Sequence, residues 1–274
     1  MIDSGDPRNW ETRGINGFLG AHAIRSPELR ARGREDAEKF GATLIDTTVE
    51  TVEKIDKDCF RLHLTGALPP VEARRVLLAI GIKDIWPRIP GLEDCYGETA
   101  HVCPDCDGYE TRFRKTVVIG TGRKAVGMAL ALTTWTDKIV ICTNGKPAAM
   151  NDDLLKKLKT LNIPVLEQTV SCLKSKDGEI SCIELENGMT LDCERLYFAI
   201  GQVPADDIGV QLGCKRDETG FIVVDDRNHT SVKNVFAAGD IAPGPQLAIA
   251  AAAEGAVAAL AIHHSLLPEE RRLD

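Results

Sequence analysis

The sequence predicts an α/β protein in which one domain is interrupted by another. Short apolar runs alternate with helical stretches along most of the chain. A G-x-G-x-x-A sequence, Gly120-Thr121-Gly122-Arg123-Lys124-Ala125, directly follows the apolar run TVVI at 116–119 and opens a helical stretch. Two strand-like runs end alike in glycine, LLAIG at 77–81 and YFAIG at 197–201. They mark two points where the chain crosses between domains. Residues 1–82 and 204–274 then form one discontinuous domain, and residues 83–203 are inserted in it.

The bulk properties fit two ordinary domains. The chain has 274 residues, 43% of them hydrophobic and 27% charged, with a formal net charge of −8. No basic run stands out, which argues against nucleic acid or an anionic membrane as partner. Residues 1–6 have neither the positive nor the apolar region of a secretory signal. The longest apolar stretch, 247–262, is mostly alanine and contains Glu254. It falls short of the roughly 20 apolar residues of a membrane span and reads as a buried helix of a soluble protein. Nine cysteines, odd in number and mostly scattered, suit small buried hydrophobes in a reducing, cytoplasmic setting.

In chain order, residues 26–40 read as a helix, with Ser26 as cap, Pro27 in the first turn and Gly41 as stop. Strand-like runs follow at 43–45, 48–52, 60–64 and 75–80. Residues 86–91 (WPRIPG) look like a linker. The inserted unit has strands at 116–119, 138–142, 163–166 and 196–200. It has helices from 120 to about 134 and at 152–161, and Asn187-Gly188 makes a hairpin turn within 170–193. A short strand at 221–224, the run NVFAAGD at 234–240 and the alanine-rich helix complete the chain.

Three signals carry chemistry. In the glycine loop, Gly120 permits a tight turn and Gly122 lets the backbone approach a pyrophosphate. Ala125 lets helix pack on strand, and the helix N-terminus offers amide donors. The alternative is an ordinary glycine-rich turn. The next strand runs into Cys142-Thr143-Asn144-Gly145-Lys146, which holds no acid for a ribose and only one cation. Lys146 tips the choice toward NADPH over NADH. The second signal is Cys103-Pro104-Asp105-Cys106-Asp107-Gly108. The C-x-x-C spacing brings two sulfurs within bridging distance, and a helix start favours a thiolate. Asp107 can trade protons with a leaving thiolate. Zinc would need a second ligand pair, and His101 is one nearby extra ligand; an inert pair is the third alternative. The third signal is NVFAAGD, in which a strand ends in Gly239-Asp240 and leads through Gln246 to a helix. Such a strand can hold a flavin, the aspartate accepting from ribityl hydroxyls and the helix N-terminus facing the ring edge.

CPDCDG, GTGRKA and NVFAAGD, in this order, resemble the thioredoxin-reductase family of pyridine nucleotide-disulfide oxidoreductases over essentially the whole chain. DSGDPRN and GINGFLG look like a bacterial and fungal branch that includes gliotoxin-type dithiol oxidases. The resemblance implies two Rossmann-like, three-layer dinucleotide-binding domains, FAD and NADPH (or NADH) as cofactors, a thiol or disulfide substrate and a homodimer. It implies that Cys106 lies against the flavin, that Cys103 attacks the substrate and that Asp107 is the acid. Gly239 and Asp240 would hold the ribityl and phosphate region, and Gln246, Leu247 and Ala248 would meet the ring edge. Gly81 and, at the other crossing, Gly201 would be cofactor contacts, as would Thr121, Arg123, Lys124, Asn144 and Lys146 on the nicotinamide side.

The chain departs from that pattern in two places. The acid for the adenosine ribose corresponds to Asp3, so the first strand, its glycine loop and most of its helix are expected to precede this chain. The discontinuous domain then lacks its first βα unit and is expected to hold FAD poorly. The arginine pair of the NADP side is also absent. Two competing functions stay open: an oxygen-dependent oxidase of small dithiols, and a non-catalytic nucleotide-binding remnant. His263 and His264, at the end of the last helix, are either a solvated helix end or residues near an active site across a dimer.

Overall fold

A computed structural model describes residues 1–9, 12–199 and 201–271. The chain starts with β1 (Ile2–Asp3), α1 (Ser26–Lys39) and β2 (Ile45–Asp46), and β1 pairs parallel with β2. An antiparallel meander follows, β3 (Val49–Asp56), β4 (Cys59–Leu64) and β5 (Val71–Ala73). Then come β6 (Val76–Leu78), which pairs parallel with a strand near the C-terminus, and β7 (Ile82–Asp84).

The middle of the chain comprises β8 (Ala100–His101), α2 (Pro104–Asp107), β9 (Thr116–Gly120), α3 (Gly122–Leu132), β10 (Ile139–Cys142), α4 (Asp152–Thr160) and β11 (Val165–Leu166). They are followed by β12 (Val170–Lys176), β13 (Glu179–Leu185), β14 (Thr190–Asp192) and β15 (Arg195–Ala199). Five of these strands form one parallel sheet in the order β11-β10-β9-β15-β8. Its strands are apolar on both faces because both are covered. Val117, Ile119, Leu196 and Phe198 pack toward the β12-β13-β14 meander, in a cluster with Leu173, Ile183 and Leu185. The alternate residues Val118 and Tyr197 pack with Ala125, Val126 and Leu158 of the helices. The result is three layers, as expected for this unit.

The chain returns through β16 (Gln202–Pro204), which pairs antiparallel with β7. Both predicted crossing points therefore lie in one two-stranded ribbon. α5 (Ile208–Gln211), β17 (Val235–Ala237) and α6 (Ala248–Leu266) complete the chain, and β17 is the partner of β6. This half has its own core of Phe60, Leu62, Leu78, Ile222, Val235 and Ile241.

Several expectations need correction. Ser26 does not cap α1: Arg25 holds the cap position without a side-chain bond, and the Ser26 hydroxyl donates to Asn9. Pro27 in the first turn and Gly41 at the stop (φ +86°) hold as read. The WPRIPG segment is packed down, with Ile89 buried and the Pro90 carbonyl accepting from the Leu173 amide at 2.9 Å. Residues 43–45 and 221–224 give only fragments: β2 at 45–46, and isolated bridges at Ile222 and Val224. The predicted strand 196–200 is β15, with Ile200 outside the described residues. The Asn187-Gly188 turn joins β13 to β14.

The alanine-rich helix is the largest correction. Only Ala258 and Ala261 of α6 are buried, and Leu260 is 62% exposed. With 19 residues and a mean hydropathy of 1.3, α6 is long and apolar enough to cross a membrane by those two criteria alone. Glu254, midway along it, is tied to the protein by a bond from the Gly239 amide at 2.7 Å.

Candidate active site

A cavity of about 860 Å³ opens where the ribbon, the Cys-Pro-Asp-Cys turn and the start of α6 meet. Cys103 and Cys106 line it as a disulfide, with their Cα atoms 5.3 Å apart. Cys103 caps α2, its sulfur accepting from the Cys106 amide at 3.1 Å. The next glycine is required for packing rather than for its φ of −65°: a Cβ on Gly108 would run into the Pro104 carbonyl and the Trp135 ring.

Asp107 lies beside the disulfide, with its side chain 18% exposed. Burial, helped by the nearby Glu110 charge, pushes its carboxyl up to about 7, and a contact from Asn16 at 3.5 Å opposes the rise. A carboxyl that titrates near neutrality can both hold and release a proton at working pH. Its surroundings are built by β8 and β15. His101 stands opposite Tyr197 in their parallel register. The His101 Nδ1 lies 3.5 Å from Asp107 Oδ2, and burial next to Arg195 lowers the imidazole to about 3, so it is neutral. The Tyr197 hydroxyl donates to the Asp107 carbonyl at 2.9 Å and meets Thr111 at 2.8 Å. Asn16, His101 and Tyr197 escaped the sequence reading as partners of Asp107. The spacing Cys103–Asp107 is local, whereas Asn16 and Tyr197 are about 90 residues away in the chain.

The opposite wall comes from the NVFAAGD strand and α6. Gly239 turns with φ +78° and Asp240 follows, its carboxyl raised by burial and held back by Arg8. Leu247 caps α6 without a side-chain bond, so the first-turn amides have no side chain closing them off. Gly81 enters from the ribbon with φ +67° and no atom within 4 Å of where a Cβ would point. Open amides, a half-buried carboxylate and bare glycine backbone, with a disulfide in the same cavity, fit an isoalloxazine ring and its ribityl chain. Arg8 also lines this wall, holding Asp84 at 2.7 and 2.8 Å and Gln246 at 2.9 Å. Both ends of the Gln246 side-chain amide are engaged by protein, through Arg8 and a reciprocal pair with Gln202.

The other predicted residues lie outside this cavity. Gly201 packs tightly, a Cβ there standing 3.0 Å from Ile85. The Asp3 carboxylate is gripped by Arg30 at 2.7 Å and Arg34 at 3.1 Å. Against the effect of burial, the Gly5 amide and these arginines hold it below the usual range. The glycine loop sits between β9 and α3. A Cβ on Gly120 would come within 2.9 Å of the Ala199 Cβ and 3.3 Å of the Ala125 Cβ, so glycine there serves helix–strand packing. Gly122 has φ +60°, and its amide donates to the Ala148 carbonyl at 2.7 Å. Thr121 caps α3 without a side-chain bond. Arg123, Lys124 and Lys146 are exposed around the loop, and none forms an ion pair among the described residues. These free cations and the α3 N-terminus suit an anionic dinucleotide. The Asn144 side chain, by contrast, is occupied in accepting from the Val170 amide at 2.8 Å. His263 and His264 are exposed at the last turn of α6. Among the described residues no three His, Cys, Asp or Glu side chains converge as a metal would need, and the seven cysteines outside the pair are free.

A family model described as pyridine nucleotide-disulphide oxidoreductase matches residues 8–255. Thioredoxin reductase of Treponema pallidum (strain Nichols) is 31% identical over 246 residues, covering 87% of this chain and 78% of that protein. The mitochondrial thioredoxin reductase 2 of Saccharomyces cerevisiae is 31% identical over 273 residues, covering 94% and 79%. The crystal structure of HlmI superposes with a TM-score of 0.91 at 32% identity, over 97% of this chain and 83% of that one.

Proposed function

The chain belongs to the pyridine nucleotide-disulphide oxidoreductase family, and from that premise we propose that it passes electrons between NAD(P)H, FAD and a thiol or disulfide substrate through Cys103 and Cys106. It is a thioredoxin reductase-like enzyme, and the family uses FAD and NADPH. One observation carries the proposal: the Cys103–Cys106 disulfide and Asp107 share a cavity with Gly239, Asp240 and the start of α6.

A flavin bound there would supply the electron pair that opens the Cys103–Cys106 disulfide. The chain's residues do the rest. Cys103 attacks one sulfur of the substrate disulfide, forming a mixed disulfide and expelling a thiolate. Asp107, protonated near neutrality, gives that thiolate its proton. Cys106 then attacks the Cys103 sulfur, restores the disulfide and frees the second thiolate, which is protonated from solvent. Asp240 and Gly239 would hold the ribityl and phosphate region of the flavin, residues 246–248 would meet the ring edge, and Gly81 would let backbone approach from the ribbon. The glycine loop 120–125 with Lys146 takes the nicotinamide dinucleotide.

The domain division 1–82 with 204–274 against 83–203 is supported by the β7–β16 ribbon at both crossings. A homodimer that covers the exposed side of α6 is part of this reading, as is a cytoplasmic setting that keeps the seven free cysteines reduced.

The test is Cys106→Ser. Disulfide turnover should vanish while bound flavin, read by visible absorbance after desalting, stays. Full turnover by that variant ends the reading. A second reading, oxygen-dependent closure of a small dithiol, is favoured by the segment after β10. Residues 142–146 offer no acid and a single cation, and the Gly122 amide is already bonded to Ala148. Oxygen uptake with a small dithiol and no nicotinamide would decide for it.

A further inference from the structure

The segment Asp3-Ser4-Gly5-Asp6-Pro7-Arg8-Asn9 has no part in the chemistry above, yet Arg8 reaches furthest across the site. Its guanidinium grips Asp84 of β7 with two bonds, Nε to Oδ2 at 2.7 Å and Nη2 to Oδ1 at 2.8 Å. Nη1 donates to Gln246 Oε1 at 2.9 Å and stands 3.4 Å from Asp240 Oδ2. Gln202 of β16 donates to Asp84 at 3.3 Å and exchanges two amide bonds with Gln246. One cation thus joins β7 to two wall residues that precede α6, and Gln202 brings β16 into the same network.

The charges are unevenly matched. Asp84, 2% exposed, takes the guanidinium fork with both oxygens, and Asp240 makes only the longer contact. Lys83, the other cation on this wall, is 59% exposed and faces Asp6 at 4.0 Å. Among the described residues that line the cavity, Arg8 is therefore the more deeply set cation, and Asp84 is the group that neutralises it. Interactions between charges in such a partly dry site are strong and weakly screened. A flavin gains negative charge on reduction, so a nearby cation favours the reduced form and a nearby anion opposes it.

We propose that Arg8 and Asp84 form a charge pair that sets the reduction potential of the flavin in this cavity, Asp84 holding the guanidinium's charge back from the ring edge. The inference rests on the flavin site described above. Its test is the midpoint potential of flavin bound to the purified protein, measured by equilibration with a redox dye. Asp84→Asn unmasks Arg8 and should raise the potential. Adding Arg8→Gln to that variant removes the unmasked charge and should return the potential to that of the unsubstituted protein. Asp84→Glu, which keeps the charge, should leave it unchanged. A purely structural pair predicts no such rise and reversal. Flavin bound with an unmoved or lowered potential in Asp84→Asn, or a rise that survives in the double variant, overturns the inference and leaves the flavin site standing. If Asp84→Asn fails to fold, Arg8→Gln alone, which leaves the Asp84 charge unmatched, should lower the potential, and an unmoved or raised one overturns the inference. A protein that holds no flavin overturns both.

Discussion

The runs LLAIG at 77–81 and YFAIG at 197–201 are near copies in sequence, and the molecule uses them differently. The first passes through β6, which has one parallel partner, and Leu77 is 38% exposed. Its Gly81 turns left-handed into the cavity, with nothing within 4 Å of where a Cβ would stand. The second passes through β15, flanked by β9 and β8, with Leu196, Tyr197 and Phe198 all buried. Its Gly201 faces Ile85 instead of the cavity, and its Tyr197 holds the backbone of Asp107 from behind. The same short motif thus stands in two different settings. Whether the glycine serves a ligand or only lets two segments pack depends on what lies against it.

The largest effect is expected on the packed side. Gly120→Val puts a branched side chain where a Cβ alone would stand 2.9 Å from Ala199. Overpacking of this kind costs about 3 kcal/mol, and backbone atoms on one side leave little room to relax. A denaturant midpoint that stays put would show the β9–α3–β15 junction to be loose.

Asp107 gives the next effect, and it depends on pH. Its carboxyl titrates near 7 when folded, far above its ordinary value of 3.8. The folded state therefore binds that proton more tightly than the unfolded chain does. Folding stability falls as pH rises from about 4 to about 7, then levels off. Asp107→Asn removes the fall. The variant should gain about 2–4 kcal/mol over the unsubstituted protein at pH 8 and nothing at pH 4. Equal stabilities at pH 8 would mean that the Tyr197–His101 wall does not desolvate the acid.

Gly81→Ala and Gly201→Ala sharpen the contrast directly. Alanine at φ +67° costs about 1 kcal/mol and crowds the cavity, so flavin content should drop as well. Alanine at 201 meets only the flexible end of Ile85 and should cost under about 0.5 kcal/mol with flavin retained. The reverse order of flavin loss would exchange the roles assigned to the two crossings. The smallest effect belongs to Lys146→Ala. An exposed contact to phosphate is worth up to about 1 kcal/mol, so NADP⁺ affinity should fall about two- to five-fold and NAD⁺ affinity should not move. Equal losses for both would remove Lys146 from the choice of cofactor.

The parts of the site that were legible in the sequence are those in which spacing alone fixes geometry. Cys103 and Cys106 are three residues apart and bridge. Gly120, Gly122 and Ala125 sit at one strand–helix junction, and Gly239-Asp240 ends a strand. The readings that failed concern partners. Ser26 has the residue type of a cap, but its hydroxyl is drawn to Asn9. The composition of α6 suggested burial, yet Ala258 and Ala261 are its only fully buried residues. Nothing in DSGDPRN announces that Arg8 meets Asp84, 76 positions on, and Gln246, 238 positions on.

By itself the sequence determined the alternation of strands and helices, the spacing that lets Cys103 and Cys106 bridge, and the glycine loop between β9 and α3. These follow from backbone preferences and side-chain periods that act over a few residues. The tertiary structure alone decided that Asp107 titrates near neutrality, that Arg8 is neutralised by Asp84, that Gly81 rather than Gly201 faces the cavity and that α6 lies open. Those properties depend on burial and on charge at short range, and the groups that supply both arrive from distant parts of the chain.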